Sequence, residues 1–138
     1  MGESNQHFPV EAGGILIGHF GKDTVHIAFA TDSGPNAQHS PTGFRRDGEY
    51  SQTVLEQIVG ESEAPTDYIG EWHSHPANQG PSLKDLVSMQ WIAKNPKYAV
   101  SHPVLGLCVR ETADQWVISF YQLYKNSLVK LKIESSQI

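Results

Sequence analysis

Cysteine is almost missing from this chain: Cys108 stands alone among 138 residues, which excludes an intrachain disulfide framework. No apolar run reaches the roughly 18 residues of a membrane-spanning helix. The first eight residues lack the apolar segment of a signal peptide, and Gln6 stands where an N-myristoylation signal needs Ser or Thr. Basic residues are scarce, ten Lys and Arg against fifteen Asp and Glu, for a net charge of −5. One basic pair, Arg45-Arg46, does not make the clustered cationic surface that tracks phosphates. Neither nucleic acid nor membrane is therefore an expected partner, and the cytoplasm is the expected compartment. Seven histidines in so short a chain point instead toward metal.

The chain reads as a single domain over 1–138, long enough to bury a core without covalent staples. Gly13 to Phe20 is a short apolar run, read as a buried strand, and Thr24 to Thr31 alternates as its hairpin partner. A loop rich in Gly, Pro, Ser and Asn follows over 32–47, long enough to suggest function. Glu49 to Val59 has a helical face of Tyr50, Val54, Leu55 and Ile58. Tyr68 to Trp72 reads as a strand running into His73. Ser82 to Lys94 reads as a helix whose inner face is Leu83, Leu86, Val87 and Trp91, stopped by Asn95-Pro96. Strands are expected over 103–110, 115–124 and 129–134, with Cys108 an inert core residue and Trp72 and Trp91 packing residues. Mixed strands and helices with hairpins at both ends predict an α/β sheet with helices packed on it.

The segment from Glu71 to Asp85 carries the chemistry. In an extended chain side chains alternate, so His73 and His75 face the same side as a ready pair of nitrogen ligands. A Gly-Pro loop then lets the next helix bring Asp85 back toward them. Two His and one Asp with an open fourth position form a catalytic rather than a structural zinc pattern. Such a site activates water, and hydrolysis then needs a base that returns the proton to the leaving group. Glu11, at the entrance to the apolar strand, is the candidate base, and Ser82 the candidate donor to the oxyanion. Glu71, two residues before His73, is assigned a supporting role. Ser82 and Asp85 also read as a plain helix start, Ser82 as N-cap and Asp85 as the acid three residues on. His7, His19, His26 and His39 have no partner at ligand spacing, and Ser101-His102-Pro103 lacks the other ligands of a second site.

Taken together, Glu11-Ala12-Gly13-Gly14-Ile15-Leu16-Ile17-Gly18, His73-Ser74-His75-Pro76 and Pro81-Ser82-Leu83-Lys84-Asp85 resemble the JAMM (MPN+) zinc metalloprotease motif, in the short form of its prokaryotic JAB branch. The resemblance implies a cytidine-deaminase-like α/β fold and one zinc per chain, held by His73, His75 and Asp85. Glu11 would be the general acid/base and Ser82 the oxyanion donor. The substrate class it implies is a peptide or isopeptide bond after the C-terminal tail of a ubiquitin-like protein. Ubiquitin-activating and conjugating-like enzymes, antiphage defence systems and sulfur-carrier processing are the settings it suggests. Two features depart from the pattern: six residues separate His75 from Ser82 where many relatives have seven, and ten residues precede Glu11 where relatives often carry a further element.

Three rival readings remain. Metal-free relatives serve as scaffolds, which have no need of the full set Glu11, His73, His75 and Asp85. A non-haem iron oxygenase also uses two His and a carboxylate, and metal identity separates it from a zinc enzyme. A nucleobase deaminase would need a Pro-Cys-x-x-Cys ligand pair, which is absent. The loop over 32–47, with Phe44 and Arg45, is the expected place for a substrate tail, added as an edge strand.

Overall fold

The computed structural model describes residues 12–35, 37–40, 43–45, 47–62, 65–75, 80–112 and 115–134. In chain order the elements are β1 (Gly13–Phe20), β2 (Val25–Ala30), β3 (Gln38–Ser40), β4 (Gly43–Arg45), α1 (Gly48–Glu61), β5 (Asp67–His75), α2 (Leu83–Lys94), β6 (Val104–Thr112), β7 (Gln115–Tyr124) and β8 (Ser127–Lys130). Six strands form one mixed sheet in the order β2-β1-β5-β6-β7-β8. Every neighbouring pair is antiparallel except β5 and β6, which run parallel and are joined by the α2 crossover. The α/β class expected from the sequence is what the chain adopts. The long loop differs from expectation, because β3 and β4 pair within it as a small second sheet. The last strand also comes earlier, over 127–130, because Lys125 takes a positive φ of 56° and turns β7 straight back into it.

β1 lies between β2 and β5, and its residues 13–18 are all buried, which accounts for its unbroken apolar run. Its first half extends past the end of β2. There the Thr31 and Ser33 hydroxyls stand in for a strand, accepting from the N–H groups of Ile15 at 2.9 Å and Gly13 at 3.1 Å. Alternate residues feed two apolar clusters. One joins Ile15, Ile17, Tyr68, Leu105 and Leu123 to Leu55 and Ile58 of α1 and to Met89 and Ile92 of α2. The other joins Leu16, Ile69, Trp72 and Val104 to Ile27, Phe120 and Leu131 where the sheet curls. Trp72 is locked there by its indole N–H, which donates to Thr31 O at 2.7 Å. Cys108 is buried, as expected.

The inner face of α2 corrects the sequence reading. Met89 and Ile92 are buried, with Leu86 and Ala93 against the same cluster. Leu83, Val87 and Trp91, expected on the inner face, are 75%, 55% and 59% exposed. The helix carries apolar residues on two stripes, and periodicity alone does not say which one meets the sheet. Trp91 is therefore not a core packing residue, whereas Trp72 is.

Candidate metal centre

The site forms where β5 ends and α2 begins, at the carboxyl end of the parallel β5–β6 pair. Crevices at this end of a parallel arrangement are the usual ligand sites of α/β sheets. Alternation along β5 puts His73 and His75 on one side, with ring centroids 4.9 Å apart and Nε2 atoms 3.1 Å apart. Ser74 faces the other way. Its hydroxyl accepts from the Ala12 N–H at 2.9 Å, while its own N–H donates to Ala12 O at 2.8 Å. Ala12, at the entry to β1, is thereby pinned beside the two histidines.

Asp85 arrives from the first turn of α2, and its two oxygens do different things. Oδ2 accepts from the Ser82 N–H at 2.7 Å, and Ser82 Oγ accepts from the Asp85 N–H at 3.2 Å, closing a capping box. Oδ1 lies 2.8 Å from His73 Nε2, and Oδ2 lies 3.8 Å from His75 Nε2. The helix-start reading of Asp85 is what the structure shows, and the same carboxylate faces both histidines. The cap holds the carboxylate at the height of the histidines.

His73, His75 and Asp85 are the one group of three potential ligands gathered among the described residues, with ligand atoms all within 4.8 Å of one another. Ligands around a tetrahedral ion with bonds of about 2.0–2.1 Å stand roughly 3.3 Å apart. The separations of 3.1, 2.8 and 3.8 Å scatter around that value, so the cluster fits a metal ion. The protonation states suit one as well. Burial, reinforced by the neighbouring His73 and opposed by Asp85, lowers the pKa of His75 and favours its neutral form. Burial by itself would raise Asp85, but hydrogen bonds and charge from His73 and the Ser82 cap outweigh it and bring the carboxyl down to about 2.

A cavity of about 640 Å³ opens beside the triad. Its lining includes Glu71, Lys84, Val87, Met89, Trp91 and Tyr98 as well as His73, His75, Ser82 and Asp85. Ser82, read from the sequence as an oxyanion donor, is thus in the cavity wall and in the helix cap at once. Glu71 accepts a hydrogen bond from the Tyr68 hydroxyl and lies on the cavity side, as its spacing from His73 anticipated. Glu11 lies outside the described residues. Ser74, Val87 and Tyr98 were missed. The alternation that put His73 and His75 forward also sets Ser74 on the opposite side, but its partner Ala12 is 62 positions away.

Of the other histidines, His19, His26 and His102 stay outside this cluster. His102 Nδ1 lies 3.0 Å from Leu123 O, in a structural role. His19 and His26, expected to have no partner at ligand spacing, join no metal cluster among the described residues; they lie opposite each other in the β1–β2 register, with rings stacked at 4.8 Å. The short turn between the strands sets that pairing.

A family model described as prokaryotic homologs of the JAB domain matches residues 1–119. The chain belongs to this family. Among curated proteins, this JAB chain is 28% identical over 76% of its length to a probable metalloprotease of Sinorhizobium fredii. It is 29% identical over 88% of its length to a protein of Escherichia coli named CD-NTase/cGAS isopeptidase. A protein of the same name from Enterobacter hormaechei is 32% identical over 79% of the chain. These matches span 66%, 73% and 61% of the relatives' own lengths. The solution structure of a protein from Desulfitobacterium hafniense has the same fold, with a TM-score of 0.70 at 19% identity, covering 96% of this chain and 83% of that one.

Proposed function

We propose that this JAB-family chain is a zinc-dependent isopeptidase or peptidase, binding one zinc per chain. Its substrate is the amide formed by the C-terminal carboxyl of a ubiquitin-like protein, either in a conjugate or in a precursor. The observation that carries the reading is the convergence of His73, His75 and Asp85, with an ionised carboxylate, at the edge of a cavity. The names of the relatives, one a metalloprotease and two isopeptidases, support hydrolysis of an amide in a protein. Two of those names also support a conjugation-type setting, in which activating and conjugating-like enzymes would be partners.

His73, His75 and Asp85 would hold the ion. Zinc in such a site polarises a carbonyl and lowers the pKa of water to about 7. Glu11 takes a proton from the attacking water and returns it to the leaving nitrogen. In support, its chain neighbour Ala12 is tied through three hydrogen bonds to Ser74, between the two histidines. Ser82 receives the Asp85 N–H with an oxygen lone pair, so its own proton is available to the carbonyl oxygen as charge develops there. Asp85 joins both parts, since the bonds that cap α2 also fix the ligand.

Elemental analysis of the native protein and of Asp85→Ala, with circular dichroism on both, tests the reading. One zinc per native chain, lost from the folded variant, supports it, together with amide cleavage that Glu11→Gln abolishes. A native protein that takes no metal when zinc is offered at neutral pH overturns it. Iron in place of zinc would move the assignment to oxygenase chemistry.

A further inference from the structure

The α2 helix leaves a stripe of apolar side chains in water beside the triad. Leu83, Val87 and Trp91 are 75%, 55% and 59% exposed, on the side of the helix turned away from the core. Large exposed apolar groups in a row mark contact surfaces more often than chance solvent exposure. The stripe continues into the site, because Val87 and Trp91 line the same cavity as His73, His75 and Asp85. Trp91 is braced there by Tyr98, whose ring it meets edge-on at a centroid distance of 5.7 Å. Trp is one of the residue types enriched at the energetic centres of interfaces.

We propose that this stripe is the specificity surface for the substrate, and that its occupant is an extended substrate segment flanking the scissile amide, with large apolar side chains at alternate positions. The inference rests on the amide-hydrolase reading above. Continuity decides the occupant: a chain whose amide reaches the triad passes along the wall that Val87 and Trp91 form. Spacing supports it as well. Successive stripe residues are four apart on the helix, about 6 Å along its axis. Same-side residues of an extended chain recur about every 6.7 Å. Each turn of α2 therefore meets one outward side chain of such a segment. Val87 and Trp91 give the apolar contact, and the triad receives the backbone.

A synthetic library of branched peptides tests this, each joined to a lysine side chain through its C-terminal carboxyl, with apolar or Ser residues varied on both sides of the amide. The zinc-loaded native protein is expected to cleave members with alternating large apolar residues at least about tenfold faster, by kcat/KM, than the Ser-substituted members. In Trp91→Ala and, separately, Val87→Ser, that ratio is expected to collapse to about one while zinc content and circular dichroism stay native. Two variants are used because Trp91 also braces Tyr98. A native protein that cleaves the library without apolar preference overturns the inference and leaves the hydrolase reading standing. So does a preference that survives both substitutions. A concentration-dependent dimer in gel filtration, dissolved by Trp91→Ala, assigns the stripe to a second copy and also overturns it. Zinc-loaded protein that cleaves no member overturns the hydrolase reading, and this inference with it.

Discussion

Ala12 and Ser74, 62 positions apart, hold each other through three hydrogen bonds: Ala12 N–H to Ser74 Oγ at 2.9 Å, Ser74 N–H to Ala12 O at 2.8 Å and Ser74 O–H to Ala12 O at 3.4 Å. The pair joins the entry to β1 to the His73-Ser74-His75 segment, beside the cluster that Asp85 completes. Ser74→Ala leaves the buried Ala12 N–H without its acceptor. The expected cost is about 1–3 kcal/mol of stability, read by urea denaturation. Cleavage should fall with it while zinc content holds, since Ser74 touches neither His73 Nε2 nor Asp85.

Asp85 has two tasks, and substitution should separate them. Asp85→Ala removes the oxygen beside His73 and the carboxylate half of the capping box. Zinc should be absent from the purified variant, and stability should drop by roughly 0.5–2 kcal/mol from the cap. Ser82→Ala removes the other half of the cap and the proposed oxyanion donor. Zinc binding should survive in Ser82→Ala, and kcat should fall about a hundredfold or more. Elemental analysis paired with peptide cleavage distinguishes the two.

The metal-free protein should lose stability in acid in two stages. The folded pKa of His75 is lowered, so the unfolded chain binds the proton more readily, and stability declines as pH falls below about 6.5. The folded pKa of Asp85 is about 2 against an ordinary 3.8, so its contribution is full above pH 3.8 and is lost as pH falls toward 2. That second contribution is about 2 kcal/mol. Urea titrations at pH 7, 5 and 3 on chelator-treated protein read both stages. Zinc affinity and cleavage should also fall below about pH 6, because protons compete for the same ligands.

The two stripes of α2 should respond in opposite ways to substitution. Ile92→Ala opens a cavity in the main cluster and should cost about 2–5 kcal/mol. Leu83→Ser, at the most exposed apolar position of the helix, should change stability by no more than about 0.5 kcal/mol. Chemical denaturation of the two variants checks the assignment of the inner face.

Gly70 lies against the backbone of β6, with no room for a side chain. A Cβ built there would lie 1.8 Å from Val104 O, a backbone atom of the neighbouring strand. Gly70→Ala must therefore break the start of the parallel pair. Loss of the cooperative unfolding transition, followed by circular dichroism, is the expected result.

Short-range patterns made most of the site legible in advance. His73 and His75 share a side because a strand alternates, and Ser82 and Asp85 cap a helix because the N-cap and third helical positions are neighbours in any helix. The apolar runs of β1 and β6 likewise marked strands buried on both faces. Each of these depends on backbone geometry over a few residues, which the order of residue types specifies. Tertiary structure alone decided the rest. Leu83, Val87 and Trp91 match a helical period as well as Leu86, Met89 and Ile92 do, and only the docking of α2 on the sheet selected the second set. The contacts of Ala12 with Ser74, of His73 with Asp85 and of His19 with His26 depend on strand register and a crossover. Local preference is a sum over near neighbours, whereas burial compares whole faces of elements. For that reason the grouping of His73, His75, Ser82 and Asp85 could be read from the sequence, while the surface beside them could be seen only once the chain had folded.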